Sequence, residues 1–177
     1  MQSLLSTLEE QAVFAFTGKV NVIKSENRQF LGEITQKDGL IVGASYKGLN
    51  SKKALYTALI DDVDSGGMNF IVEPELIEEE RVVFEISVEE LKQQAREKFE
   101  HYQRSKKLRP PDGVRLLVDP DFVVEGADVT SDEFEVLAGL TDYNKVGDIY
   151  KNVNLLEYEI TNALVSLRMK KALRVFR

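Results

Sequence analysis

The stretch LIVGASYKGLNSKKALYTAL, Leu40 to Leu59, decides how this chain is read. An apolar run reaches Gly43, Gly48 follows five residues later, and a helical pattern then begins. In that pattern Ala54, Leu55, Ala58 and Leu59 share one face, and Asn50 or Ser51 can cap the start. Strand, glycine loop, helix is the outline of a phosphate-binding loop. Such a loop needs G-x-x-x-x-G-K-[ST], because the lysine neutralises phosphate and the hydroxyl ligates magnesium. Here Leu49 and Asn50 stand in those two places, and no G-x-G-x-x-G is present. The glycines therefore read as a turn and a site of tight backbone packing, with no nucleotide or other cofactor expected.

Upstream, FTGKVNVIK alternates Val20 and Val22 with polar neighbours, as a half-buried strand does. ENRQ is turn-like and FLGEITQ is a second strand. Lys37-Asp38-Gly39 marks a tight hairpin into LIVGASY, since Asp-Gly accepts positive φ angles. At the start, Ser3 or Ser6 can cap a short helix, with Ser6 and Glu9 in capping-box spacing. Downstream, DSGG is a turn and MNFIVEP a fourth strand, stopped by Pro74.

Ser87 and Glu90 form another capping box before VEELKQQAREKFEHYQRSKKL, a long helix with Val88, Leu91, Ala95, Phe99 and Tyr102 in a narrow apolar stripe. Arg109-Pro110-Pro111-Asp112-Gly113 ends it and is the expected domain boundary. GVRLLVDPDFVVEG follows. Then come three helical patterns, TSDEFEVLAGL opened by Thr130 or Ser131, KVGDIYKNV, and LLEYEITNALVSLRMKKAL with Leu156, Ile160, Leu164 and Leu167 on one side. RVFR can close as a strand. Helix, short helix, longer helix, strand is the order of a winged-helix domain, although the chain stops at Arg177, where a second wing strand would return.

Composition narrows the chemistry. The 177 residues are 43% apolar, enough for a packed core, and carry a net charge of −7, which removes the global basic field of most nucleic-acid binders. Residues 130–177 hold seven acids and seven bases, so no local basic block replaces it. Cysteine is absent, so there are neither disulfides nor thiolate metal sites. No apolar run is long enough to span a bilayer, and MQSLLSTLEEQ lacks the basic start of a secretory signal. A soluble cytoplasmic protein is expected.

Two further motifs invite chemistry. Asp62, Asp64, Gly67 and Glu73 fall at positions 1, 3, 6 and 12 of a calcium loop, but Gly66 occupies position 5, Asn69 position 8, and Pro74 forbids the exit helix. An acidic turn into a strand is the better reading. His101, the single histidine, sits among charges on the long helix and cannot build a histidine metal site. No G-x-S-x-G elbow is present. No catalytic or metal-binding residue is therefore assigned. Base readout by a winged helix would use the first half of the third helix, where Glu157 and Glu159 would repel phosphate, whereas Arg168, Lys170, Lys171, Arg174 and Arg177 gather at its far end.

TGKVNV at Thr17–Val22, GEITQKDGLIVGAS at Gly32–Ser45, GLNSKKALYTALI at Gly48–Ile60 and GGMNFIV at Gly66–Val72 together resemble the PATAN-type domain family, named after the N-terminal part of a cyanobacterial response regulator. The family pattern is a leading helix, a "tG.l.v" strand, an "i.f.dG.ivhA" strand, a "G..Al..ll" helix and a "G.f.f" strand. Gly43 departs from the histidine often found before the alanine. The resemblance implies an α+β protein with a small antiparallel sheet and flanking helices at residues 1–76, a connecting segment and long helix at 77–112, and a winged-helix-like, mainly α domain at 113–177. It further implies a bacterial, non-catalytic signalling adaptor or scaffold in a response-regulator, motility or cell-polarity pathway. Its partner would be a receiver domain, a Ras-like polarity GTPase or a motor component, with a homodimer also in range and membrane insertion not expected. Phe99 and Tyr102 on the connecting helix, and Arg168, Lys170, Lys171 and Arg174, are the candidate partner-binding residues. The alternative is a winged-helix transcription regulator that binds DNA, although the acidic balance makes nucleic acid the poorer partner.

Overall fold

A computed structural model describes residues 3–126 and 128–176. The chain is α+β and divides into two units, residues 1–99 and 100–177.

In the first unit, α1 (Leu4–Val13) is followed by β1 (Gly18–Lys24), β2 (Phe30–Lys37), β3 (Leu40–Tyr46), β4 (Leu49–Asn50), α2 (Ser51–Ser65) and β5 (Met68–Pro74). The strands form one antiparallel sheet in the order β4-β3-β2-β1-β5. Val20, Val22, Ile34 and Ile41 of the sheet are fully buried, as are Leu4 and Leu8 of α1 and Leu55 and Ala58 of α2. The capping box of α1 uses Ser3 and Ser6 rather than Ser6 and Glu9: the Ser6 N–H donates to Ser3 Oγ (3.1 Å), and the Ser3 N–H to Ser6 Oγ (2.9 Å).

The glycines of the opening stretch have different duties. Lys47 (φ 48°) and Gly48 (φ 80°) turn β3 into the two-residue β4, just as Asp38 (φ 50°) and Gly39 (φ 81°) turn β2 into β3. Successive positive φ angles are the mark of a type I′ hairpin. Gly43 lies inside β3, where a Cβ would meet Thr35 at an ordinary 3.6 Å. The close approach belongs to Gly32, where a Cβ would sit 2.1 Å from the Ser45 carbonyl oxygen. Bulges between Val22 and Ile23 and between Thr35 and Gln36 shift the register. The second of these accompanies burial of both Ile41 and Val42 on adjacent positions of β3.

The first unit extends well past residue 76. Val83 donates its N–H to Val42 O (2.9 Å), while Ile41 and Ile86 exchange backbone hydrogen bonds of 2.9 and 3.0 Å. This segment therefore lies along the β3 edge beyond β4. It leads into α3 (Val88–Ser105), whose start is capped by Ser87 Oγ accepting from the Glu90 N–H (3.2 Å) and whose Val88 and Leu91 are buried. The division between units falls inside α3, after Phe99, where the sequence placed it at Arg109–Gly113.

The second unit contains β6 (Arg115–Val118), α4 (Pro120–Glu125), α5 (Ser131–Asp142), α6 (Val146–Asn152), α7 (Glu157–Met169) and β7 (Leu173–Phe176). α4 has no counterpart in the sequence reading. Asp119 caps it by accepting the Asp121 N–H, and Pro120 opens it. β6 pairs antiparallel with β7, and on its other side Arg115 bridges Lys145 while the Leu116 N–H reaches Asn144 O (2.8 Å). A strand that precedes the helices thus fills the place beside β7. Leu116, Val136, Ile149, Ile160 and Leu167 lie in the buried core of this unit.

Gly32→Ala is expected to destabilise the first unit by about 3 kcal/mol or more, because the overlap is with backbone that cannot turn away. Gly43→Ala is expected to change it by less than about 1 kcal/mol. Urea denaturation followed by the protection of β2 and β3 amides from hydrogen exchange measures both.

Candidate functional site

A cleft of about 220 Å³ opens among α1, α2 and α3 in the first unit. Leu5, Leu59, Ile60, Val63, Ala95 and Phe99 give it an apolar lining. The helical spacing that put Ala95 and Phe99 on one stripe of α3 is what directs both toward it. Val63 is 63% exposed at the lip, an apolar side chain left in water beside an apolar hollow.

The charged groups around the cleft are mostly basic. Lys92, Arg96 and Lys98 come from α3, and Asp62 is the one acid among the lining residues. The Asp62 carboxylate is turned to a structural task, accepting the Leu4 N–H at 2.8 Å at the start of α1. Burial pushes that carboxyl up from its ordinary value, against the opposing pull of the same hydrogen bond. Lys92 is paired with Glu9, and the Lys98 ammonium stands 4.8 Å from the centre of the Tyr56 ring. The Tyr56 hydroxyl donates to Gln94 Oε1, and burial followed by the Glu90 charge raises its pKa.

The acidic residues that fall at calcium-loop positions are divided between α2 and β5. Asp62 and Asp64 lie in the last turn of α2, and Glu73 lies in β5, where a calcium loop would have its exit helix beginning. Among the described residues, no group of three or more His, Asp or Glu side chains is arranged to hold a metal ion. None of the helices among those residues is long and apolar enough to cross a membrane.

Phe99 and Tyr102, three residues apart on α3, fall on opposite sides of the division between units. Phe99 lines the cleft, whereas Tyr102 carries the Lys106 ammonium 5.6 Å from its ring centre. His101 is exposed and stacks on Tyr158 of α7, with ring centroids 5.7 Å apart. Leu5, Tyr56 and Val63 complete the cleft from α1 and α2, and no feature of the sequence marked them as neighbours of Phe99.

The four C-terminal cations separate into two kinds. Lys170 donates to Glu133 Oε2 at 2.7 Å and to Asp128 O at 2.9 Å. Arg174 grips Asp119 through Nε and through a terminal nitrogen at 2.9 Å, with Asp121 at 3.6 Å. These two tie the unit together. Arg168 and Lys171 are exposed, and Lys171 adopts φ 62° just beyond the end of α7. Arg177 lies outside the described residues.

Glu133 is the polar anchor of the second unit. It is buried at the third position of α5, closing a capping box by accepting the Thr130 N–H at 2.7 Å. Burial alone would raise its pKa. Hydrogen bonds from Lys170, Ser166 and the Thr130 N–H outweigh that and hold it at about 2.

A carboxyl depressed from 4.5 to about 2 adds stability that is complete above the unfolded value and is lost as pH falls toward the folded one. Thermal melts of the second unit are therefore expected to fall more steeply between pH 4.5 and 2 in the wild type than in Glu133→Gln. At neutral pH, Lys170→Met, which strands the buried carboxylate, is expected to cost roughly 3 kcal/mol.

In comparisons with known proteins, no family model, curated protein or solved structure matches this chain.

Proposed function

We propose that this protein is a non-catalytic signalling adaptor that acts by binding another protein. The observation that carries the reading is the apolar cleft at Phe99, rimmed by basic residues in a chain whose net charge is −7. A concave apolar site with a charged margin suits the anchor side chain of a protein partner, and such anchors supply most of an interface's affinity. The strand and turn positions that resemble the PATAN-type family support the same reading, as does the run α5, α6, α7, β7, which follows winged-helix order. On this reading the chain works in the bacterial cytoplasm. Its partner is a receiver domain, a Ras-like polarity GTPase or a motor component in a response-regulator, motility or polarity pathway.

The burial of α7 weighs against the DNA-binding alternative. Tyr158, Ile160, Thr161, Ala163 and Leu164 are buried along the half that would have to enter a major groove. The exposed Glu157 carboxylate at its start pairs with Arg109 (3.4 Å).

Phe99→Ala combined with Val63→Asp is expected to reduce capture of the partner at least about tenfold while moving the melting temperature by no more than a few degrees. Capture is read by titrating candidate receiver domains and Ras-like GTPases against both forms of the purified chain. Equal binding by both forms would overturn the cleft as the docking site. A salt-sensitive gel shift with duplex DNA, lost in Arg168→Ala/Lys171→Ala, would replace this function with the regulator.

A further inference from the structure

We propose that two copies of this chain join through β5, edge to edge and antiparallel, about a two-fold axis at Ile71. The inference stands apart from the adaptor reading and uses a different face of the first unit.

β5 is the end strand of the sheet. β1 lies on one side of it, and among the described residues no strand pairs with the other. Two backbone bonds establish which groups face outward. The Ser25 N–H donates to Gly67 O (2.8 Å), and the Glu75 N–H to Thr17 O (3.4 Å). Both continue the register in which Gly18 faces Pro74 and Lys24 faces Met68. Along an antiparallel ladder, alternate residues address alternate neighbours. Asn69, Ile71 and Glu73 therefore spend their backbone groups on β1. Phe70 and Val72 present N–H and C=O to the open edge. Pro74 also faces outward, where its missing N–H leaves nothing unpaired.

The side chains agree with an edge awaiting a neighbour. Phe70 and Val72 face Val22 and Val20 across the ladder, and so share the face that carries those buried valines. Yet both are only half-buried, while Val20 and Val22 are wholly so. Ile71, on the opposite face, is 47% exposed. Natural edges are usually blunted by charge, proline or shortness. Here Glu73 and Pro74 blunt one end of a seven-residue strand, and the centre is Phe-Ile-Val.

The occupant is a second copy because Asn69-Phe70-Ile71-Val72-Glu73 complements itself when reversed. With the axis at Ile71, Phe70 of each copy faces Val72 of the other, and each such pair exchanges two backbone hydrogen bonds. Asn69 faces Glu73 of the second copy, an amide donor opposite a carboxylate acceptor. Ile71 faces its own counterpart, and no like charges meet. Moving the axis one residue either way sets Ile71 against Asn69 or against Glu73 and discards the match.

The chain contains no cysteine, so single substitutions report the geometry. Ile71→Cys would stand opposite itself in a non-hydrogen-bonded pair about 4.5 Å apart at Cα, within disulfide reach. Asn69→Cys would lie about 13 Å from its counterpart and serves as the control. Mild oxidation is expected to give a covalent dimer with the first and none with the second. Val72→Pro deletes an outward N–H that β1 does not use. In sedimentation equilibrium it is expected to raise the dimer dissociation constant about tenfold or more. A wild-type chain that remains monomeric at about 0.1 mM overturns the proposal. So does a dimer unaffected by Val72→Pro, or crosslinking by Asn69→Cys as fast as by Ile71→Cys. Should Val72→Pro fail to fold, the two cysteine variants decide alone, since neither alters a backbone donor.

Discussion

A strand at the edge of a sheet carries a row of backbone donors and acceptors that must find partners or water, and much of this molecule follows from where those partners come from. On the β3 side they are supplied from within. β4 takes Ser45 and Tyr46, and the segment running through Val83 to Ile86 takes Ile41 and Val42. Residues beyond Pro74 that read as a linker are therefore part of the sheet's edge. Val88 and Leu91 are buried in the same unit, which anchors the start of α3 and gives the cleft at Phe99 a fixed wall. On the β5 side no segment among the described residues does the same work, and the unpaired groups of Phe70 and Val72 are left facing outward.

The two units differ in how they admit polarity to their interiors. The first keeps it small. Gln36 is fully buried, and its amide donates to Leu8 O at 3.1 Å, tying β2 to α1. An apolar hollow stays open to solvent as the cleft. The second unit buries a full charge. Glu133 is held by Lys170, Ser166 and the Thr130 N–H together, so one carboxylate caps α5 and receives the end of α7. Breaking such an arrangement from one side leaves a desolvated ion, which makes it a strong constraint on where α7 ends relative to α5. Arg174 repeats the device at the surface, joining β7 to the Asp119 cap of α4. The consequence for function is that Lys170 and Arg174 are engaged in holding their own unit, which leaves Arg168 and Lys171, both exposed, as the other two candidate contact residues near the C-terminus.

Where local signals were strong, the sequence was legible. β1, β2, β3, α2 and β5 announce themselves by alternation, by Asp38-Gly39 and by the apolar face of Ala54, Leu55, Ala58 and Leu59. α5 follows from its cap at Thr130, α7 from the spacing of Leu156, Ile160, Leu164 and Leu167, and α6 from the short helical pattern between them. The failures are equally local in origin. α4 has six residues and exposes Val123 and Val124, so no helical period stands out. β4 is two residues long. For α1, the spacings Ser3 to Ser6 and Ser6 to Glu9 are the same three residues. One factor distinguishing them is the Asp62 carboxylate, 58 positions away, at the Leu4 N–H.

The sequence by itself determined what depends on a few adjacent residues: which segments are strands or helices, which turns need positive φ, and that Leu49 and Asn50 stand where a phosphate loop requires its lysine and hydroxyl. Tertiary structure decided everything that depends on which distant groups meet. It closed β3 with residues 83–86, set β6 beside β7, sent Lys170 to Glu133, and added Leu5 and Val63 to Phe99 to make a cleft. The reason is physical. Caps and turns are satisfied within one or two turns of chain, whereas an edge, a buried charge or a hollow is defined only once remote segments have come together, and periodicity carries no record of which segments those are.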